Sequence, residues 1–288
     1  MCGISGFYSN NNFFTPSDLN TMNHCLLHRG PDAGGVFSEM PCGLAHRRLS
    51  IIDLSEKANQ PMYSHSGRYV MIFNGEIYNF KELALQFKIE QKTSSDSEII
   101  LELFEKEGPG FVNHLNGMFA IAIYDKKTEE LWLFRDRMGI KPIYYFDDGK
   151  NFAFSSELKA LTILPQIKAQ LQTDDDAVSA FLHLGYIPQP YSIYKQIKKF
   201  PSASYLHLTK NNRNFTCYWD LAQVSSRIFT GTYQNAKEQY HRLLQSSVGY
   251  RLISDVSYGT FLSGGIDSSL VTAIAAKTDS KPLKTFTI

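Results

Sequence analysis

A cysteine stands at position 2, between Met1 and Gly3, in the opening string "MCGISGFY". One cleavage would make this residue the carrier of the chain's α-amine. A free α-amine titrates at about 7.7–8.0, a value suited to a general base at neutral pH. A single residue would then supply nucleophile and base together, and no catalytic histidine is required. The chain has eight histidines. His28, beside "RGPD", and His46, before "RRLS", are read as structural hydrogen-bonders.

The second string able to do chemistry is "SGGIDSS", Ser263 to Ser269. Gly264 and Gly265 permit a tight turn that brings backbone N–H groups close to an anion. The string opens into a helix whose N-terminal N–H groups and dipole favour negative charge. Ser263, Ser268 and Ser269 add hydroxyl donors. No lysine follows, so this is not the loop that reaches β- and γ-phosphates in G-x-x-x-x-G-K-[ST]. A plain glycine turn with Ser268 as helix cap is the structural alternative.

The elements that must position these strings can be read from periodicity. "TPSDLNTMNHCLLHRGP" predicts a helix, with Ser17 as N-cap, Leu19, Met22 and Leu26 on one face, and Gly30-Pro31 as stop. Asn74-Gly75, between "RYVMIF" and "EIYNF", is a strong hairpin signal. "SSDSEIILELFEKEG" predicts a helix with a Ser95–Glu98 capping box, a core face of Ile99, Ile100, Leu103 and Phe104, and a stop at Gly108. "MFAIAIYD", "ELWLFRDR", "KPIYYF" and "NFAFSSE" predict an antiparallel meander. "TDDD", 173–176, reads as a solvated helix start. After Phe200 the periodicity weakens. Then come an amphipathic helix over "YQNAKEQYHRLLQSSVGYRL", with Tyr240, Leu243, Leu244 and Val248 on one side, a strand, the glycine turn, a helix and a final strand. That order is the opening of a parallel α/β sheet. Two strands cannot cover their own faces, so the chain is expected to stop within a second domain.

The bulk properties agree with an ordinary globular protein. Of 288 residues, 43% are hydrophobic and 20% charged, and the net charge is +1. This composition supports a real core and gives no global field toward nucleic acid or membrane. No signal peptide, membrane span, repeat or low-complexity tract is found. The four cysteines, Cys2, Cys25, Cys42 and Cys217, fit no zinc or disulfide spacing. They are expected as free thiols, at least three of them packing residues.

Taken in order, "CGISG", "HRGPDAGG", "HRRLSIID", "FNGEIYN", "TSSDSE", "GMFAIAIYD", "RDRMGIKPIYY" and "SGGIDSS" resemble the glutamine-hydrolysing asparagine synthetase family. "SGGIDSS" alone resembles the pyrophosphate loop of the N-type ATP pyrophosphatases. The resemblance covers nearly the whole chain. It implies an α+β N-terminal-nucleophile (αββα) glutaminase domain with antiparallel sheets over 1–200, a linker over 201–234, and over 235–288 the start of a parallel α/β ATP pyrophosphatase domain. It also implies roles. Cys2 would attack the glutamine side-chain amide, with Asn74 and the Gly75 N–H as oxyanion hole. Arg48 would pair with the substrate α-carboxylate, which its planar fork suits. Glu76 and Asp96 would hold the amine side. Leu49, Ser50, Ile51 and Ile52 would line the pocket through their backbone. Leu262, Ser263, Gly264, Gly265, Asp267, Ser268, Ser269 and Ile288 would contact ATP or pyrophosphate. Taken singly, Asn74-Gly75 also suits a type I′ turn, Asp96 the first turn of a helix, and Arg48 a solvated surface.

The implied enzyme is a cytoplasmic carbon–nitrogen ligase of asparagine biosynthesis. Its substrates would be glutamine, aspartate and ATP, with Mg2+ expected and no metal held by the protein. A homodimer is compatible with the resemblance; nucleic-acid and membrane partners are not implied. Three alternatives stay open: an ATP-dependent amidotransferase with another carboxylate acceptor; one using phosphoribosyl pyrophosphate or fructose 6-phosphate, against which "SGGIDSS" argues; and a non-catalytic glutamine-binding protein.

Overall fold

The structure, a computed structural model, describes residues 1–9, 11–226, 228–278 and 282–287. The chain forms two units, Met1–Ser50 with Ser55–Trp219, and Ile51–Leu54 with Asp220–Ile288.

The first unit runs β1 (Gly3–Ser9), α1 (Pro16–Cys25), β2 (Ala33–Glu39), β3 (Cys42–Arg48), β4 (Met62–Tyr63), β5 (Tyr69–Ile77), α2 (Phe80–Gln86), α3 (Asp96–Glu107), β6 (Gly117–Asp125), β7 (Glu130–Arg135), β8 (Tyr144–Asp147), β9 (Asn151–Ser155), α4 (Leu158–Thr162), α5 (Pro165–Lys168), α6 (Asp175–Leu184), β10 (Ile197–Lys199), β11 (Ser204–Leu208) and β12 (Arg213–Cys217). Its strands form two antiparallel sheets, in the orders β10-β8-β9-β1-β3-β2 and β12-β11-β7-β6-β5-β4.

Alternation along each strand divides the core into layers. Ile4 and Tyr8 of β1, Leu44 of β3, Val70 and Ile72 of β5, and Ala120 and Ala122 of β6 share one cluster between the sheets. Phe7 of β1 and Ala45 of β3 point the other way, onto Leu19, Met22 and Leu26 beside α1 and onto α4 and α5. On the second sheet, α3 packs against β4 and β5. Both faces of the inner strands are therefore buried. That is why "MFAIAIYD" reads as a continuous apolar run.

Several local expectations need correction. Asn74-Gly75 is not a turn. β5 runs straight through it and pairs with β6 from Tyr69↔Asp125 to Ile77↔Gly117. The physical reason is close approach: a Cβ on Gly75 would lie 2.1 Å from the Met118 carbonyl oxygen. The four-strand meander is two hairpins in different sheets, β6-β7 and β8-β9. The 201–234 linker is largely structured, because β11 and β12 extend the second sheet beside β7. The α1 cap is Thr15, in a capping box with Asp18, and Pro16 takes the first turn. Ser95 caps α3 alone, through the Ser97 N–H. Glu98 instead accepts from the Lys92 and Thr93 N–H groups and meets His65. Asp174 caps α6, as the solvated helix start suggested. Cys217 is exposed rather than packed.

The second unit contains α7 (Leu221–Ser225), α8 (Tyr233–Tyr250), β13 (Gly259–Phe261), α9 (Ile266–Thr278) and β14 (Lys284–Phe286). β13 and β14 pair in parallel across α9. Val248 of α8 packs with Ile274 and Ala275 of α9, and Leu244 adds to them. Tyr240 and Leu243, expected on the same apolar side, are exposed. Within this unit the Asp255 N–H donates to the Ile51 carbonyl at 2.9 Å, and the Asp53 N–H donates to Asp255 Oδ2 at 2.7 Å.

Candidate active site

The candidate nucleophile lies just ahead of β1. The Cys2 thiol donates to the Leu49 carbonyl at 3.6 Å, and the Leu49 N–H donates to Cys2 Sγ at 3.4 Å. Cys2 precedes β1 and Leu49 follows β3, and these strands pair from Gly3↔Arg47. Strand register therefore brings two residues far apart in sequence together. Burial pushes the Cys2 thiol up, while the Leu49 N–H, the chain-terminal amine, Lys141 and Arg48 act in the opposite direction. Arg29 donates to the Cys2 carbonyl at 2.9 Å and pairs with Glu157 at 3.0 Å.

The candidate oxyanion donors lie on β5, one edge of which is finished by side chains. The Phe73 N–H donates to Gln60 Oε1 at 2.6 Å, and the Ile77 N–H donates to Asp96 Oδ2 at 2.9 Å. Alternation puts the Gly75 N–H on that same edge, midway between these two. Short β4 pairs only with Val70 and Met71. Side chains, not a strand, therefore finish this edge.

A second brace joins the sheets. Nε2 of His46, on β3, bonds the Phe73 carbonyl on β5 at 3.0 Å. Burial pushes His46 down to about 3, so the imidazole is neutral. A carbonyl only accepts, so Nε2 carries the hydrogen. His46 is structural, as the sequence suggested, and it holds β5 one residue before Asn74. Asn74 follows Val70 and Ile72 on the inter-sheet face and is 1% exposed. Its Nδ2 is buried and has no hydrogen-bond partner among the described residues. Two buried N–H donors left unmade in a folded core are costly. A site awaiting an acceptor accounts for them.

The charged residues gather around the same place. Asp96 is buried at the start of α3. Burial raises it to about 7, and Glu76 adds to the rise while the Ile77 N–H opposes it. Burial also raises Glu76, against Lys141. Arg48 Nη1 donates to the Ser55 carbonyl and to Asn59 Oδ1, both at 2.8 Å. The Ser50 N–H donates to Asp32 Oδ2 at 2.8 Å.

The structure thus brings Cys2, Arg48, Leu49, Glu76 and Asp96 into one electrostatic neighbourhood of the first unit. Ile51 and Ile52 belong to the second unit. Sequence reasoning missed Gln60, His46 as a brace, and Lys141, although "RDRMGIKPIYY" held the last in plain view.

The "SGGIDSS" loop lies in the second unit between β13 and α9. Gly264 has φ +79 with open space where a Cβ would point. The Ser263 and Ser268 hydroxyls bond at 3.1 Å, and the Ser263 N–H donates to Ser268 Oγ at 3.3 Å. Ser268 Oγ donates to the Gly265 carbonyl at 3.2 Å. The Leu262 N–H donates to the Phe286 carbonyl at 2.8 Å, and Thr287 Oγ1 donates to the Leu262 carbonyl at 2.7 Å. Gly265, Asp267 and Ser269 are exposed. Ile288 lies outside the described residues.

Comparison with known proteins places these features. A glutamine-hydrolysing asparagine synthetase of Bacillus subtilis is 36% identical over all of this chain and 48% of its own length. Asparagine synthetase B of Escherichia coli is 33% identical over 89% of this chain and 41% of its own length. A Methanocaldococcus jannaschii relative reaches 38% identity over the whole chain and 59% of its own length. The chain thus spans about half the length of the curated relatives it matches. Among solved structures, the glutamine phosphoribosylpyrophosphate amidotransferase of B. subtilis superposes with a TM-score of 0.56 at 17% identity, over 76% of this chain and 49% of that one. That likeness identifies the first unit's fold as the αββα N-terminal-nucleophile type. An asparagine synthase family model matches residues 239–288, and a glutamine amidotransferase domain model matches residues 1–219. The chain belongs to the glutamine amidotransferase domain family.

Proposed function

We propose that the first unit hydrolyses glutamine at Cys2, and that the protein carrying it is a glutamine-hydrolysing asparagine synthetase. The observation that carries the first half is the buried Asn74 Nδ2, without a hydrogen-bond partner among the described residues, on the strand that also carries the Gly75 N–H. Removal of Met1 exposes the Cys2 α-amine. The amine takes the thiol proton and the sulfur attacks the glutamine side-chain carbonyl. Negative charge collects on that oxygen, toward Asn74 Nδ2 and the Gly75 N–H. The amine returns its proton to the leaving group, ammonia departs, and a thioester remains. Water then enters by the same route and glutamate leaves. Arg48 takes the substrate α-carboxylate, and Glu76 with Asp96 takes the α-amine. Leu49 and Ser50 line the pocket, and Ile51 and Ile52 continue that segment.

In the second half, ATP adenylylates the aspartate β-carboxyl. Ammonia displaces AMP to give asparagine, with pyrophosphate as the other product. The backbone and hydroxyl donors of Ser263, Gly264, Gly265, Ser268 and Ser269 suit that product. Leu262, Asp267 and Ile288 belong to the same nucleotide site. The loop offers one carboxylate, Asp267, and no group of three metal-ligating side chains occurs among the described residues. No step is therefore assigned to magnesium. No helix among the described residues is long and apolar enough to cross a membrane, and a cytoplasmic enzyme is part of the proposal.

The test is Cys2→Ala in the complete enzyme. Glutamine-dependent asparagine formation should vanish while ammonia-dependent formation persists. Survival of both activities would overturn the role of Cys2. Mass spectrometry should find Met1 absent, and a glutamine-mimicking diazoketone should label Cys2. Pyrophosphate release with aspartate, compared with other carboxylates, tests the acceptor.

A further inference from the structure

The string "RDRMGIKP" folds as a clamp that ends in a buried cation. Asp136 Oδ1 accepts from the N–H groups of Met138 at 3.1 Å and Ile140 at 2.9 Å, and Oδ2 accepts from Lys141 N–H at 3.0 Å. Arg135 donates to the carbonyls of Lys141 at 2.9 Å, Gly139 at 2.8 Å and Phe200. Gly139 takes φ +65 at the bend. The loop is thereby fixed, and so is the point from which the Lys141 side chain leaves it.

Lys141 is 5% exposed. Among the described residues its Nζ has one hydrogen-bond partner, the Met1 thioether sulfur at 3.6 Å. An ammonium has three donors and a thioether is a weak acceptor. Lys141 forms no ion pair among the described residues. A buried cation held this way is costly, and such groups concentrate where charge is used. Its one partner would leave with Met1.

The groups facing Lys141 come from four elements. They are the Met1 amine and Cys2 ahead of β1, Glu76 on β5, Arg29 in the turn after α1, and Asp136 in its own loop. Asp32 also acts on the terminal amine, and Arg48 on the thiol. Arg29 is already paired with Glu157.

We propose that Lys141 is a positioning residue for glutamine hydrolysis, whose ammonium, released from the Met1 thioether, sets the charge of the Cys2 amine on one side and of Glu76 on the other. This rests on the role proposed above for Cys2. A cation beside an amine favours its neutral form, which is the form that accepts the thiol proton. The same cation favours the Glu76 carboxylate, which is the form that holds a substrate ammonium. With Met1 in place, burial holds the Met1 amine below its ordinary value; Cys2 and Asp32 oppose this, and Arg29 and Lys141 add to it.

The experiment compares Lys141→Met, Lys141→Gln and Lys141→Arg in the Met1-free protein, by glutaminase pH profile and by the rate of Cys2 alkylation. For both neutral variants, kcat/KM should fall about tenfold at pH 6.5 and about threefold or less at pH 8.5. The acid limb should move to higher pH, the glutamine KM should rise most at low pH, and Arg should restore the limb. A loss that is the same at every pH, or a superimposable profile, overturns the proposal. Should the neutral variants melt early, the wild-type profile decides. The acid limb of the wild-type kcat/KM, which reports the base of the free enzyme, must lie below the about 7.7–8.0 of an ordinary α-amine, and a limb at or above that range overturns the proposal. Glutaminase activity surviving Cys2→Ala would instead defeat the Cys2 assignment itself.

Discussion

Two candidate anion sites sit in this chain, and they are built in opposite ways. On β5, Asn74 Nδ2 is buried and the Gly75 N–H half-buried, and their neighbours are braced from outside, by Gln60 and His46 at Phe73 and by Asp96 at Ile77. In the "SGGIDSS" loop, hydroxyls bond one another and Gly264 faces open space. The surrounding cores differ likewise. The β5 edge borders an inter-sheet cluster drawn from both sheets, while the loop's helix α9 buries Ile274 and Ala275 against Val248. A site whose orphan donors are already desolvated is preorganised and strained. A loop whose donors are internally bonded must exchange those bonds for a ligand's. Substitutions should therefore cost structure and chemistry in the first site, and little structure in the second.

The sharpest break of that contrast is Gly75→Ala. The new Cβ would meet the Met118 carbonyl oxygen at 2.1 Å, and that oxygen belongs to the paired strand β6. Backbone cannot swing away as a side chain can. We expect a loss of about 3 kcal/mol or more, read as a lowered urea midpoint of the first unit. An unchanged midpoint would mean that β5 and β6 are not so closely apposed.

Asn74→Ala should separate chemistry from stability. Removing an oxyanion donor lowers kcat about 10²–10³-fold. Removing a buried donor that has no partner costs little, or stabilises. The expected result is a glutaminase with a greatly reduced kcat and an unchanged or raised melting temperature. A destabilised variant with normal kcat would reverse the assignment.

What the sequence made legible follows from the range of the interactions involved. Cys2, "SGGIDSS" and the buried face of α3 were visible because each is a local pattern. Asn74-Gly75 misled for the same reason: as a pair it signals a turn, and only the approach of Met118 keeps it in a strand. β12 was missed because Phe215, Thr216 and Cys217 are exposed on an edge strand and show no alternation. The braces were out of reach. His46 and Phe73 are 27 residues apart, and Lys141 and Met1 are 140. No window of periodicity spans such distances. The order of the strings pointed to candidate site residues; it could not show which of them lacks a partner.

A pH series sharpens the comparison further. Burial pushes Asp96 up to about 7 in the folded state, against an ordinary 3.8. A carboxyl raised in the folded state holds its proton more tightly there than when unfolded. The native state therefore loses stability as pH rises from about 4 to about 7, and the cost stays level above that. Asp96→Asn, whose amide oxygen can still accept the Ile77 N–H, escapes this. It should be more stable than wild type at pH 8, on the order of 2 kcal/mol, and similar at pH 4, with a raised glutamine KM. A stability difference that is flat with pH would remove Asp96 from the buried, titrating groups.

The smallest effect is expected at Gly264→Ala, the counterpart of Gly75→Ala. Here the obstacle is backbone conformation alone: φ is +79 and nothing lies within 4 Å of a built Cβ. A non-glycine residue in that region costs roughly 1–2 kcal/mol, with no clash to add. The second unit should therefore keep its helical signal and lose only a few degrees of melting temperature. Pyrophosphate release in the complete enzyme should fall more than this stability loss explains, because the loop must present its N–H groups to the phosphates in this bend. A Gly264→Ala enzyme with full pyrophosphate release would show that the bend is a connection between β13 and α9 and nothing more. A variant as damaged as Gly75→Ala would show that the second site is as tightly built as the first.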